Sequence, residues 1–200
     1  EYSNYLKKIF PKNKIFTVGS FKFDLADYKS NKINFREKTK EGKKLVIVIT
    51  AIKDENYMIG FLNKCDLSNC KIIICPHFVY KNETIKNFKN KAKFQFSFLK
   101  KYSTRQIMFF ADLVVCGMSS MSYEAMFKNL NVLRITDYSS PMQSDESDNI
   151  PLISESNKFQ NFLKKRRQIP INLRKNTEKK LFYKFDRKTH LRFTRILEKI

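Results

Sequence analysis

Ser119 and Ser120 stand where an apolar run, Leu113-Val-Val115, passes through Gly117 into a helical pattern that carries Glu124. A strand that delivers hydroxyls to the start of a helix sets them beside main-chain N–H groups with no intrahelical partner, and a phosphate can be held there. Capping by one of the serines is the alternative, and the two roles are compatible. A capping box places its acid three residues after the capping serine, and Glu124 follows Ser120 by four. A carboxylate one turn into that helix can accept hydrogen bonds from two ribose hydroxyls, or simply face solvent. His77 follows Pro76 at the end of Ile72-Ile-Ile-Cys75. An imidazole donates to phosphate oxygens, and no Ser/Asp arrangement equips His77 as a nucleophile's base. Thr50 closes the run Leu45-Val-Ile-Val-Ile, with Asp54 and Glu55 just beyond, where they either meet ligand or cap the next helix.

These residues need a scaffold that brings strand ends together. Leu45–Thr50 and Lys71–Cys75 are continuous β-branched runs, the mark of strands buried on both faces of a parallel sheet. A weaker strand is expected near Lys93–Phe98, and further strands at Leu113–Val115 and at Asn131–Ile135. Helices are expected over Tyr2–Phe10, Glu55–Lys64, Asn82–Asn90, Ser103–Phe110 and Ser122–Lys128, and Asn129 suits a left-handed exit from the last. Strands alternating with helices of about ten residues give an α/β fold with a doubly wound parallel sheet. Ligands of such sheets bind at the carboxyl ends of the strands, where Thr50, His77, Ser119 and Ser120 fall. Residues 1–39 read as a short helix, a strand Lys14–Val18 and a connecting loop, 40–160 as the α/β domain, and 161–200 as basic helices with apolar anchors at Phe182, Tyr183, Phe185, Leu191, Phe193, Ile196 and Leu197.

The net charge of +21 and pI near 9.8 first suggest nucleic acid. Residues 158–200 hold 15 Lys and Arg against 3 acidic residues, so the excess is concentrated in the tail. With no reader motif for nucleic acid, an anionic membrane surface met by residues 163–200 is the better partner for that charge. Cys65, Cys70, Cys75 and Cys116 lack zinc-site spacing, and Cys75 and Cys116 sit in or beside apolar strands as buried thiols. Four glycines exclude a Gly-rich phosphate cradle, and neither a dinucleotide fingerprint nor a P-loop is present. No metal or cofactor is expected, and a cytoplasmic location fits the free thiols.

At these residues the chain resembles the carboxyl-terminal half of a GT-B glycosyltransferase, in particular bacterial surface-polysaccharide transferases with HP and SS motifs. These include sialyl- and polysialyltransferases, capsular Kdo transferases and the CDP-glycerol polymerases of teichoic acid. Pro76-His77 resembles the HP segment, with Phe78 in place of the usual Pro. Ala111-Asp-Leu-Val-Val through Ser119-Ser120 to Glu124-Ala125 resembles the SS segment, with Asn129 and Asn131 where Gly and Pro are usual. Val18-Gly-Ser-Phe-Lys-Phe-Asp24 is similar to the end of the interdomain strand, and Asp145–Ser154 to the loop after the site. The resemblance implies that His77 and Ser119 or Ser120 hold donor phosphate, that Glu124 holds the ribose, and that the donor is CMP- or CDP-linked. It further implies a glycan or lipid-linked acceptor and an amino-terminal domain outside this chain. A sugar-nucleotide epimerase of the same architecture, and a basic RNA- or membrane-binding module, are the competing expectations.

Overall fold

The computed structural model describes residues 2–11, 14, 16, 42–51, 54–98, 102–117, 119–135, 150–165, 169–181 and 188–198. The chain divides into two compact units, residues 29–169 and residues 1–28 with 170–200. Of the expected strand Lys14–Val18 only residues 14 and 16 are described, neither of them in a strand, and the anchors Phe182, Tyr183 and Phe185 and most of the expected connecting loop lie outside the described residues.

The larger unit is built on five strands: β1 (Lys44–Ile49), β2 (Cys70–Cys75), β3 (Phe96–Phe98), β4 (Leu113–Cys116) and β5 (Val132–Arg134). Every pairing is parallel and the spatial order is β3-β2-β1-β4-β5. A parallel bridge between Arg134 and Leu152 continues the sheet past β5. The helices between strands are α2 (Glu55–Leu62), α3 (Lys81–Lys91) after a 3-10 turn at Phe78–Tyr80, α4 (Thr104–Met108) and α5 (Met121–Phe127); α6 (Ser156–Lys164) follows the bridge.

The β-branched runs are buried on both faces because helices cover both. One side chain set, Val46, Val48, Ile72, Ile74, Leu113, Val115 and Leu133, meets Met58, Phe61 and Leu62 of α2, Phe88 of α3 and Phe159 of α6. Phe159 stands edge-on to Phe61 with ring centroids 6.1 Å apart. On the alternate set, α4 packs on β1 and α5 on β4 and β5, with Ile107, Met108, Ala125 and Met126 buried. Ser103 opens α4 through a capping box with Gln106.

Two asparagines settle the exit from α5. Asn129 takes φ 56, the left-handed conformation its short polar side chain tolerates. Buried Asn131 donates from Nδ2 to the carbonyls of Asp112 (3.1 Å) and Phe162 (3.0 Å), tying the start of β4 to α6. A proline at 131 would supply no such side-chain donor, and one at 129 could not take the positive φ.

The cysteines behave as apolar core. Burial pushes the Cys75 thiol up to about 12, and Cys116 higher still. In the unfolded chain both ionise near 9.0, so unfolding releases protons once the pH passes that value. Their contribution to stability is therefore intact below pH 9.0 and is lost from there to about 12, at about 1.4 kcal/mol per pH unit for each thiol. Urea midpoints taken from neutral pH to about pH 10 should fall less steeply in a Cys75→Ala/Cys116→Ala variant. Equal slopes would contradict this assignment.

The smaller unit contains α1 (Tyr2–Ile9), α7 (Ile171–Leu181) and α8 (Thr189–Leu197). Inside it, buried Thr177 donates to the Leu173 carbonyl at 3.0 Å, and Arg192 donates to buried Thr189 at 3.2 Å.

Candidate functional site

The order β3-β2-β1-β4-β5 reverses direction between β1 and β4, the place where a doubly wound sheet opens a crevice at its carboxyl edge. The register makes that edge flush. Ile49 pairs with Cys75 on one side and Cys116 on the other, and Cys116 pairs with Arg134. Thr50, Pro76-His77 and Gly117 therefore leave the sheet at one level. The exits of β2 and β4 are two inter-strand spacings apart, about 10 Å.

Thr50 is buried, and its Oγ1 accepts the His77 main-chain N–H at 3.1 Å. This threonine thus fixes where the histidine leaves β2. His77 is extended (φ −62, ψ 134), half-buried, and its ring lies 6.2 Å from that of Tyr80.

Gly117 is required for space. A Cβ placed on it would lie 1.7 Å from Oδ2 of Asp54. Asp54 occupies the capping position of α2 but makes no side-chain cap bond; its carboxylate turns back to accept the Ala51 N–H at 3.0 Å. A buried carboxylate thus packs onto the glycine at the β1–β4 crevice.

The serine pair divides its work in a way the sequence left open. Ser119 is the capping residue: its Oγ accepts the Met121 N–H at 3.3 Å and its carbonyl accepts the Ser122 N–H at 3.0 Å. Ser120 sits in helical conformation at the head of α5, makes no side-chain cap bond and is exposed. The first donors of this seven-residue helix are thus met locally.

Glu124 is not a solvated helix acid. It is 2% exposed, and Arg105 Nε of α4 lies 2.8 Å from Oε1 and 2.9 Å from Oε2. A second arginine completes the support. Buried Arg134, at the end of β5, donates from Nε (2.9 Å) and Nη2 (2.8 Å) to Ser122 Oγ, which in turn donates to the Ser119 carbonyl at 2.7 Å. The same guanidinium lies 4.6 Å from the centre of the Tyr123 ring. Arg105, Ser122 and Arg134 were not singled out from the sequence, whereas Asp54 was, as a ligand contact or a helix cap. Arg134 had a signal, being a cation inside an otherwise apolar strand.

A cleft of about 640 Å³ lies elsewhere, between α2 and the amino end of α6, lined by residues such as Asn56, Lys64 and Ser154. None of the five sequence-chosen residues lines it. Among the described residues no three His, Cys, Asp or Glu cluster as metal ligands.

No family model matches the sequence, and no curated protein matches it by sequence. The fold has clear counterparts. The UDP-GlcNAc 2-epimerase from Neisseria meningitidis, bound to UDP-GlcNAc, superposes with a TM-score of 0.60 at 11% identity over 98% of this chain and 58% of that one. A putative UDP-N-acetylglucosamine 2-epimerase from Listeria monocytogenes gives 0.56 at 10% identity over 95% and 55%. The wall teichoic acid polymerase TagF, in a structure with CDPG, gives 0.52 at 14% identity over 100% and 56%. The fold is the Rossmann-like α/β architecture of GT-B enzymes. The expected doubly wound parallel sheet is thereby shown. The chain spans little more than half the length of each of these neighbours.

Proposed function

We propose that this chain is the donor-binding domain of a transferase for bacterial surface carbohydrate, holding a nucleotide-activated sugar or polyol phosphate, with a CMP- or CDP-linked donor preferred. The observation that carries the reading is the flush carboxyl edge at the strand-order reversal, where Thr50, His77, Gly117 and Ser119 emerge together. Fold counterparts that carry UDP-GlcNAc or CDPG support it. In this reading His77 donates to the donor phosphate and steadies the charge that grows on it as the sugar leaves. Ser120, exposed at the head of α5, adds a hydroxyl donor, and Ser119 with Thr50 holds the frame. Glu124 accepts ribose hydroxyls on the lone pairs that Arg105 leaves unused. A ribose approaches it past Arg105, the more exposed partner of the pair (21% against 3% for the side chains), which keeps its hydrogen bonds. Acceptor choice and activation belong to an amino-terminal domain outside this chain, so the chain alone binds donor and turns over little.

Thermal shift with CMP, CDP, UDP and GDP tests the reading, since a ligand that binds only the native state raises its stability by mass action. A cytidine nucleotide should give the largest shift, and His77→Ala should weaken its binding by about 1–3 kcal/mol. No shift with any of the four would overturn donor binding; an unchanged affinity in His77→Ala would overturn the phosphate role alone. The two epimerase counterparts favour a second reading, a sugar-nucleotide epimerase of this architecture. Incubation with donor and no acceptor separates the two: an epimerase converts the sugar, whereas a transferase releases it slowly to water.

A further inference from the structure

The cleft of about 640 Å³ between α2 and the amino end of α6 has one face of α2 as a wall. Asn56, Tyr57, Gly60 and Phe61 line it from within the helix, and at about 100° per residue they span an arc of about 140°. Lys64 extends the row just past the helix end. Met58, Ile59 and Leu62 fill the opposite arc and are buried in the core.

Gly60 sits in the middle of the lining face. A glycine inside a helix costs stability relative to alanine, because it gives the unfolded chain more freedom to lose. Two structural needs usually account for one: a positive φ, or a neighbour too close for a Cβ. Neither holds here. Among the described glycines the positive φ belongs to Gly42, and a Cβ on Gly60 would meet no atom within 4 Å. At Gly117, by contrast, Asp54 fills that space. The room that Gly60 leaves belongs to the cleft, so its bare main chain is a surface for something that enters from solvent.

The walls indicate what enters. Ser154, Ser156 and Asn157 stand across from α2. Asn56 accepts Lys91 Nζ on Oδ1 at 2.8 Å, and its Nδ2 can donate into the cleft. Hydroxyls and amides donate and accept alike, as the hydroxyls of a carbohydrate do. The charges are one Lys64 and one Glu155, and Glu155 is already paired with Lys158, so a dianionic nucleotide finds little there. Tyr57 and Phe61 add aromatic surface, and the volume lies within the range of about 300–1,000 Å³ that small-ligand sites occupy. The cleft also has a direction. α2 follows the carboxyl end of β1, and Ser154 follows the bridge that pairs Leu152 with Arg134 at the end of β5. One end of the cleft therefore opens at the sheet edge that carries Thr50 and His77, on the face away from α5.

We propose that this cleft holds a short stretch of an uncharged, hydroxyl-rich carbohydrate chain, laid against the main chain of Gly60 between Asn56 and the side chains of Ser154, Ser156 and Asn157. The inference rests on the transferase reading for the source of that chain, an acceptor glycan gripped away from its reacting end.

Amide NMR spectra of the full chain, titrated with maltotriose, chitotriose and galactotriose, provide the test. At least one trisaccharide should shift the Gly60, Lys64, Ser156 and Asn157 resonances, while a cytidine nucleotide should shift those of the β4–α5 junction instead. Gly60→Leu should lower the trisaccharide affinity at least about tenfold by filling the cleft. Its melting midpoint should be no lower than the parent's, because leucine is the better helix former, and its nucleotide-induced thermal shift should persist. Ser154→Ala/Asn157→Ala should weaken trisaccharide binding without filling the space. Silence of the cleft resonances with all three trisaccharides, or a Gly60→Leu protein that binds them as the parent does, would overturn the proposal. So would a nucleotide that shifts the cleft resonances by itself, since the cleft would then belong to the donor. Trisaccharide binding without any nucleotide shift leaves the cleft standing and removes the donor reading; nucleotide binding without trisaccharide binding does the reverse.

Discussion

Arg105→Ala should lower the unfolding free energy by about 3 kcal/mol, more than Glu124→Gln does, although both remove one ion pair. The asymmetry follows from burial. The Glu124 side chain is 3% exposed and that of Arg105 is 21%. Without Arg105, a carboxylate stays in the interior stripped of the guanidinium nitrogen that lies 2.8 and 2.9 Å from its two oxygens. Without the charge on Glu124, an amide oxygen still accepts from Nε, and the arginine can turn toward solvent. Combining the two substitutions should recover much of the loss, because the stranded charge is then gone. Urea unfolding at constant m-value measures all three variants. The assignment fails if Arg105→Ala proves no worse than Glu124→Gln, or if the losses simply add. The same pair bears on ligand binding: a carboxylate that enters its site already held by an arginine is oriented before any ribose arrives.

Gly117→Ala should cost about 2–4 kcal/mol, an unusual loss for one methyl group. Backbone freedom is not the cause, since the positive φ angles among the described residues belong to Asn129 and Gly42. The obstacle is Asp54, with Oδ2, Cγ and Oδ1 at 1.7, 2.4 and 2.8 Å from where the new carbon would sit. Such distances require movement, and Asp54 has little room to move. Its carboxylate holds the Ala51 N–H and its carbonyl accepts the Met58 N–H at 3.0 Å. Displacing it deprives the β1–α2 loop of its internal bond. In an Asp54→Ala background the atoms that clash are absent, so Gly117→Ala should then cost less than about 1 kcal/mol. A methyl group that costs the same in both backgrounds would show that the crowding lies elsewhere.

The strands were legible because their signal is local and strong. Runs such as Leu45–Ile49 and Ile72–Cys75 carry no polar residue, and only a position covered on both faces tolerates that. The left-handed Asn129 was legible for the same reason, as a residue whose own chemistry suits the exit from a helix. The site was legible only as far as chain direction reaches. Thr50, His77 and Ser119 could be placed at strand ends from periodicity, and the observed register makes those ends level. What each side chain touches depends on partners distant in sequence. Glu124 meets Arg105 across 19 residues, and the main chain of His77 meets Thr50 across 27. Ser122 looked like ordinary helix sequence, yet it receives Arg134 from the next strand. The choice between Ser119 and Ser120 as cap turned on backbone angles that no composition reveals: Ser120 is already helical at φ −60, ψ −14.

The hydrogen bond from the His77 amide to Thr50 bears on how this protein can change over evolutionary time. It makes a neighbouring strand, and not the following loop, the reference from which the histidine is placed. Residues after it are relieved of that duty. A substitution in the 3-10 turn Phe78–Tyr80 can then accumulate without carrying the imidazole away from the edge of the sheet. Drift is permitted where the chain is anchored from the side, and forbidden at the threonine that provides the anchor.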